Sequence, residues 1–224
     1  MALLTVEDVK FSSRTQEIIK GVSMEIEKGS TTVLIGKSGC GKSTLLKLLA
    51  GILVPSEGRV LFDGHDIETM TNAQNKEFRR RSAFVFQDAA LWANQDIYHN
   101  LSIPLQVHFP KMSHEERLFA VQGICAMVNY SRPLTLRPVD LSAGEQKRIA
   151  FARAMSCGPE ILFLDEITAS MDRRGMELIM NLLHNFVDQG NTLVYVSHNA
   201  TFITEFPGNM IYVEDGLLKD EIQN

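Results

Sequence analysis

In the stretch Gly36-Lys37-Ser38-Gly39-Cys40-Gly41-Lys42-Ser43-Thr44, the first eight residues follow the order G-x-x-x-x-G-K-[ST]. Gly36, Gly39 and Gly41 let the backbone curl until its N–H groups converge on one anion, and a helix beginning at Lys42 adds its positive end. The Lys42 ammonium can then reach the β- and γ-phosphates of a nucleotide, and the Ser43 hydroxyl can ligate Mg2+. Lys37, Ser38, Cys40 and Thr44 complete the expected ATP-binding stretch. Cys40 has two readings: a thiol acidified by nearby dipole ends, or a small side chain that fills a tight loop.

A second chemical element is Ile161-Leu162-Phe163-Leu164-Asp165-Glu166, an apolar strand ending in two carboxylates. At the carboxyl edge of a parallel sheet, Asp165 suits the Mg2+ shell and Glu166 is placed to orient or polarise a water attacking the γ-phosphate. Between these elements lies Leu141-Ser142-Ala143-Gly144-Glu145-Gln146-Lys147-Arg148, which opens a helix. On residue types alone, Ser142-x-x-Glu145 is a capping box.

The elements that must position these groups alternate between short apolar runs and helical patterns, the layout of an α/β domain with a mostly parallel core sheet. Leu4 to Phe11 and Val22 to Glu27 read as an antiparallel β flank. Thr31 to Ile35, Val60 to Phe62, Ala83 to Phe86, Ile161 to Leu164 and Thr192 to Val196 read as further strands. Helices are expected from Lys42 to Ala50 and from about Arg173 to Val187. Asp96 to Ser156 lacks a strong strand signal, and Ser113-x-x-Glu116 caps a helical run there, so one domain over 1–224 with a helical subdomain at about 92–157 is expected.

The 224 residues exclude a large multidomain machine, and the net charge of −5 with scattered cations argues against a nucleic-acid groove. Three cysteines without Cys-x-x-Cys spacing suggest neither a disulfide framework nor zinc, and no apolar run is long enough for a membrane span or signal peptide. A reducing cytoplasm is the expected setting.

With the Leu-Ser-Ala-Gly-Glu run, the chain resembles the ATP-binding subunits of ABC transporters, whose signature is Leu-Ser-Gly-Gly-Gln. Six motifs stand in that family's order: Gln87 matches the Q-loop, Asp172 the D-loop and His198 the switch histidine, beside the phosphate loop, the signature and the carboxylate strand. The resemblance implies a P-loop NTPase fold that hydrolyses ATP with Mg2+. Gln87 would then approach Mg2+ and water, and His198 would sense the γ-phosphate. It also implies a head-to-tail homodimer in which Ser142 and Gly144 meet the other chain's nucleotide, and integral membrane permease subunits that hold the pair on the inner face of the cell membrane.

This sequence departs from the family pattern at several positions. Ala143 and Glu145 replace a signature glycine and glutamine, Ala169-Ser170-Met171-Asp172 replaces Ser-Ala-Leu-Asp, and Ser13 stands where an aromatic residue stacks on adenine. A carboxylate at 145 repels a triphosphate unless it turns back onto its helix. The run from Phe86-Gln87 to Leu91, the compact insertion, Ser13 and Val196-Ser197-His198 look most like bacterial lipid-trafficking cassettes of the Mce-associated type. The alternative is a regulatory cassette of the cell-division type, which acts on a membrane partner without moving a solute. A chromosome-maintenance ATPase would need a long coiled coil after Gln87, and Asn75-Lys76-Glu77-Phe78 lacks the base-reading aspartate of a GTPase. The segment from Asp88 to Asn100, with Leu91, Trp92, Ile97 and Tyr98, is the expected membrane-protein dock.

Overall fold

The computed structural model describes residues 2–168 and 171–219. β1 (Ala2–Ser12), β2 (Glu17–Glu27), β4 (Glu57–Phe62) and β5 (His65–Asp66) form an antiparallel sheet in the order β2-β1-β4-β5. The larger sheet contains β3 (Thr31–Ile35), β6 (Ser82–Val85), β7 (Ile161–Asp165), β8 (Thr192–Val196), β9 (Asn209–Glu214) and β10 (Leu217–Lys219). Its order is β10-β9-β3-β8-β7-β6, with every pairing parallel except that of β10 with β9. The expected parallel core and antiparallel flank are both present.

Every residue of β7 and β8 is buried because the larger sheet is covered on both faces, which is why these strands read as continuous apolar runs. Side chains alternate between the two cores. Ile161, Phe163 and Val194 join Leu45 and Leu46 of α1 (Lys42–Leu49) and the inner face of the antiparallel sheet. Leu162, Leu164, Leu193 and Tyr195 face the other way, onto α5 (Ala143–Met155) and α6 (Arg173–Asp188) through Ile149, Phe151, Ile179 and Leu183.

Between β6 and β7 the described chain is helical: α3 (Ile97–His108), α4 (His114–Met127), a 3-10 turn at Pro138–Asp140, and α5. Asp96 caps α3, and the reciprocal Ser113 and Glu116 hydrogen bonds open α4. Periodicity missed α2 (Asn72–Arg81), whose only buried side chain is Phe78, although its Thr71/Gln74 capping box was readable. It also missed α7 (Ala200–Glu205), β9 and β10, which are too short or too open to show a period. β1 and β2 extend beyond the expected runs because Ser12 and Glu17 continue their ladder.

Phe163 is fully buried at the centre of β7, with its ring 6.3 Å from that of Phe84. Phe163→Ala should therefore lower unfolding free energy by about 3–5 kcal/mol in urea denaturation monitored by circular dichroism. A loss below about 1 kcal/mol would contradict this packing.

Candidate functional site

β3 runs straight into the glycine loop. Gly36 has φ +153°, and a Cβ there would run into the Val213 carbonyl oxygen and sit 2.8 Å from Cys40 Sγ. Cys40 thus fills the inside of a tight turn. Gly41 caps α1 at φ +108°, where a Cβ would come within 2.9 Å of Ile19 Cδ1. These two positions exclude side chains for separate reasons, close approach of backbone and a left-handed cap. Lys42 is buried, and its ammonium donates to the carbonyls of Gly36 and Lys37, each at 2.8 Å. The cation is therefore held inside the curl of the loop.

Across the sheet, Ser43 Oγ donates to Asp165 Oδ1 at 2.7 Å, and Asp165 is only 4% exposed. Neighbouring oxygens in an octahedron with bonds of about 2.1 Å lie roughly 3 Å apart, so this pair fits two adjacent positions around Mg2+. Among the described residues no cluster of three His, Cys, Asp or Glu side chains forms an all-protein cage. Such a site draws its remaining ligands from phosphate and water, the usual habit of Mg2+.

Glu166 takes a left-handed backbone, φ +47°, with its N–H donating to Val196 O at 3.0 Å. A non-glycine residue held this way costs on the order of 1–3 kcal/mol, and such strain clusters at functional sites. Its Oε1 lies 3.5 Å from His198 Nε2, and the His198 side chain is half exposed.

Ser38, Gly39, Cys40, Gly41, Lys42, Ser43 and Thr44 line a cavity of about 620 Å3 together with Gln87, Glu166 and His198. Gly36 and Lys37 stand behind it, holding Lys42. The other end is walled by Gln16, Glu17, Ile18, Lys20, Asp215 and Gly216, none of which the sequence reading singled out. Asp215-Gly216 reads only as a turn, and in the fold it clips β2 to the loop: Lys20 N–H donates to Gly216 O, and Gly216 N–H donates to Cys40 O. Among the described residues, neither Ser13 nor any Phe, Tyr or Trp ring lines the cavity.

Ser142 and Gly144 lie elsewhere, at the N-terminus of α5, and do not line this cavity. Ser142 Oγ accepts from Glu145 N–H at 3.3 Å, and Glu145 Oε2 accepts from Ser142 N–H at 2.9 Å. Arg132 also contacts the carboxylate, at 3.1 and 3.3 Å. The Ser142 backbone hydrogen bond, helped by Arg132, holds Glu145 below the usual carboxylate range. Glu145 has thus turned back onto its own helix. A Cβ at Gly144 would meet nothing within 4 Å, and Ala143 is exposed, so this chain's own packing leaves the helix end open. Asp172 caps α6 through Gly175 N–H at 2.9 Å, while Ala169 and Ser170 of the D-loop run lie outside the described residues.

After Gln87, Ala89 and Ala90 both have left-handed backbones, φ +66° and +43°. Arg153 of α5 donates to both of their carbonyls, at 3.4 and 3.0 Å, and stacks its guanidinium 4.9 Å from the Trp92 ring centroid. Trp92 is 42% exposed, whereas Ile97 is fully buried and Leu91 and Tyr98 are half-buried. Ile97 therefore drops out as a docking anchor, because its side chain packs into the core at the start of α3.

Comparison with known proteins places these features in a family. The ABC transporter family model matches residues 19–169. The L-cystine import ATP-binding protein TcyC of Bacillus subtilis (strain 168) is 30% identical over 98% of this chain and 90% of its own. The cell division ATP-binding protein FtsE of Escherichia coli (strain K12) is 34% identical over 91% of this chain and 90% of its own. Among solved structures, the ATP-binding cassette MJ0796, in a dimeric post-hydrolysis state bound to ADP and Pi, is 28% identical with a TM-score of 0.87, covering 97% of both chains. The fold, the phosphate loop and the matches over nearly the whole length agree: this chain belongs to the ABC transporter family of ATP-binding subunits and is an ATPase with the P-loop NTPase fold.

Proposed function

We propose that the chain binds Mg2+-ATP as a homodimer and energises separate integral membrane permease subunits from the cytoplasmic face of the membrane. The supporting observation is a division within one chain. Ser38 to Thr44 of the phosphate loop, Glu166 and His198 line one cavity and Asp165 is hydrogen-bonded to its Ser43, while Ser142 and Gly144 present an open helix end outside it. Gly36 to Thr44 hold the phosphates, and Ser43, Asp165 and Gln87 hold Mg2+, which supplies charge neutralisation at the γ-phosphate. Glu166 orients the attacking water, and His198 senses the same phosphate. Ser142 and Gly144 donate to that phosphate from the second chain.

No helix among the described residues is long and apolar enough to cross a membrane. Trp92 borders a groove of about 480 Å3 lined by Phe84, Phe86, Ala90, Pro104 and Arg153, beside the strained loop that follows Gln87. A permease segment seated there would feel changes at the nucleotide through that loop. A second reading, a regulatory cassette acting on a membrane partner without solute transport, is favoured by the 34% identity to FtsE. The relatives named above carry cystine-import and cell-division names, so the lipid cargo suggested by the sequence rests on its own residues, and identification of copurifying chains and lipids decides among the three.

Glu166→Gln keeps the shape and removes the charge, so it should bind Mg2+-ATP with little change while phosphate release falls on the order of 10²-fold or more. Asp165→Asn should instead raise the Mg2+ concentration needed for half-maximal activity. Equal loss of nucleotide binding in both variants, measured with a fluorescent ATP analogue, would contradict this division of labour. Trp92→Ala should reduce recovery of the subunit with membranes while leaving its circular dichroism intact; unchanged recovery would move the dock elsewhere.

A further inference from the structure

Glu145 introduces a negative charge in the first turn of α5, at the helix end assigned above to a second chain's phosphates. Its carboxylate is divided between two partners. One oxygen accepts from Ser142 N–H at 2.9 Å, and Arg132 Nη1 stands 3.1 and 3.3 Å from the two oxygens. Arg132 reaches in from thirteen residues upstream, in the irregular stretch between α4 and the 3-10 turn, and is steadied by Asp140 O at 3.1 Å. Of the other charged groups around this end, Arg137 and Asp140 are exposed on the stretch before Ser142, and neither makes a hydrogen bond or ion pair to Glu145. Asp140 accepts from Arg137 N–H at 2.9 Å, Arg148 donates to the carbonyls of Val128 and Asn129, and Lys147 is buried against Ile167 O.

The helix does not need Arg132 to form. The reciprocal Ser142 and Glu145 hydrogen bonds satisfy the cap without it. The pair is also open to water, with side chains 41% and 19% exposed, and such surface pairs add little to stability. Its effect therefore lies in charge balance at the mouth of the helix, where an uncompensated carboxylate would oppose an incoming triphosphate while the helix end attracts it.

We propose that Arg132 is a positioning residue for the two-chain ATP site: it neutralises Glu145 and holds it folded back, so that the Ser142–Gly144 helix end stays receptive to the phosphates bound on the other chain. This rests on the two-chain reading above. It also explains how the chain tolerates glutamate at a signature position.

The test uses full-length chains carrying Glu166→Gln, so that Mg2+-ATP-dependent dimerisation is read by sedimentation without turnover. Arg132→Ala should raise the ATP concentration for half-maximal dimer roughly three- to ten-fold at low salt, with the effect shrinking at high salt. Arg132→Lys should stay close to the parent, and adding Glu145→Gln to Arg132→Ala should restore the parent value. Thermal unfolding of the single and double variants should match the parent. The proposal is overturned if the double variant remains as impaired as Arg132→Ala alone, since Arg132 would then act on the phosphates directly or on the fold. It is equally overturned if Arg132→Ala leaves the ATP dependence unchanged. A parent Glu166→Gln chain that stays monomeric removes the two-chain reading itself, and this proposal with it; failure of the proposal alone is seen only against a parent that dimerises.

Discussion

The hydrogen bond from Ser43 Oγ to Asp165 Oδ1, 2.7 Å long, joins the phosphate loop to the carboxylate strand, and the nucleotide site depends on it. It spans the width of β8, because β8 lies between β3 and β7 in the sheet. The register makes this possible: Leu34 and Asp165 both stand level with Val196, so β7 and β8 end on one line and β3 ends one residue beyond it. Glu166 and Ser197 follow directly from that line and Gly36 follows Ile35, and each next segment adds a functional group. Glu166 accepts a left-handed backbone to stay there, and Gly36 gives up its side chain to clear Val213. A shift of one residue in β7 would turn Asp165 to the wrong face.

The same sheet edge decides which parts of the chain reach the cavity. Every group that gathers at the cavity comes from before Asp88 or from Glu166 onward, and the whole helical region between them, α5 included, stands outside. On the proposed reading, Lys42 would supply positive charge on one side of a bound phosphate, and a capped helix end with an open glycine is the kind of surface that can supply donors on the other. If two chains enclose the nucleotide, dimerisation and ATP binding are linked by the same free energy, and cleavage of the γ-phosphate removes the group that bridges them. On the docking proposed above, a pair that closes on ATP and opens after hydrolysis would move a membrane partner seated near Trp92.

Much of the chemistry was legible because it is local. A complete glycine-loop pattern between a strand and a helix, and an apolar strand ending in Asp165-Glu166, each specify their geometry within a few residues. The core strands were equally plain, since burial on both faces leaves continuous apolar runs. The far wall of the cavity was not: Gln16 to Lys20 and Asp215-Gly216 are polar residues on a strand and a turn, brought together only by the packing of β10 against β2. Glu145 was ambiguous for a similar reason. Its capping role is local, but the Arg132 that balances its charge comes from an irregular stretch with no periodicity to place it. Trp92 could not be separated from a core residue by type alone, and the stack with Arg153 that keeps it at the surface is a contact between distant segments.

The claim that phosphates held by one chain are closed by α5 of another is tested most directly by comparing Glu166→Gln with Glu166→Gln/Ser142→Arg. Oligomeric state and nucleotide occupancy would be measured on the same samples with Mg2+-ATP. The first chain should dimerise on adding ATP, and the second should bind nucleotide as a monomer and remain one, because its own phosphate loop is untouched while the surface it offers a partner is blocked. If the arginine instead abolishes nucleotide binding by the monomer, or if neither chain dimerises, the helix end does not act between chains.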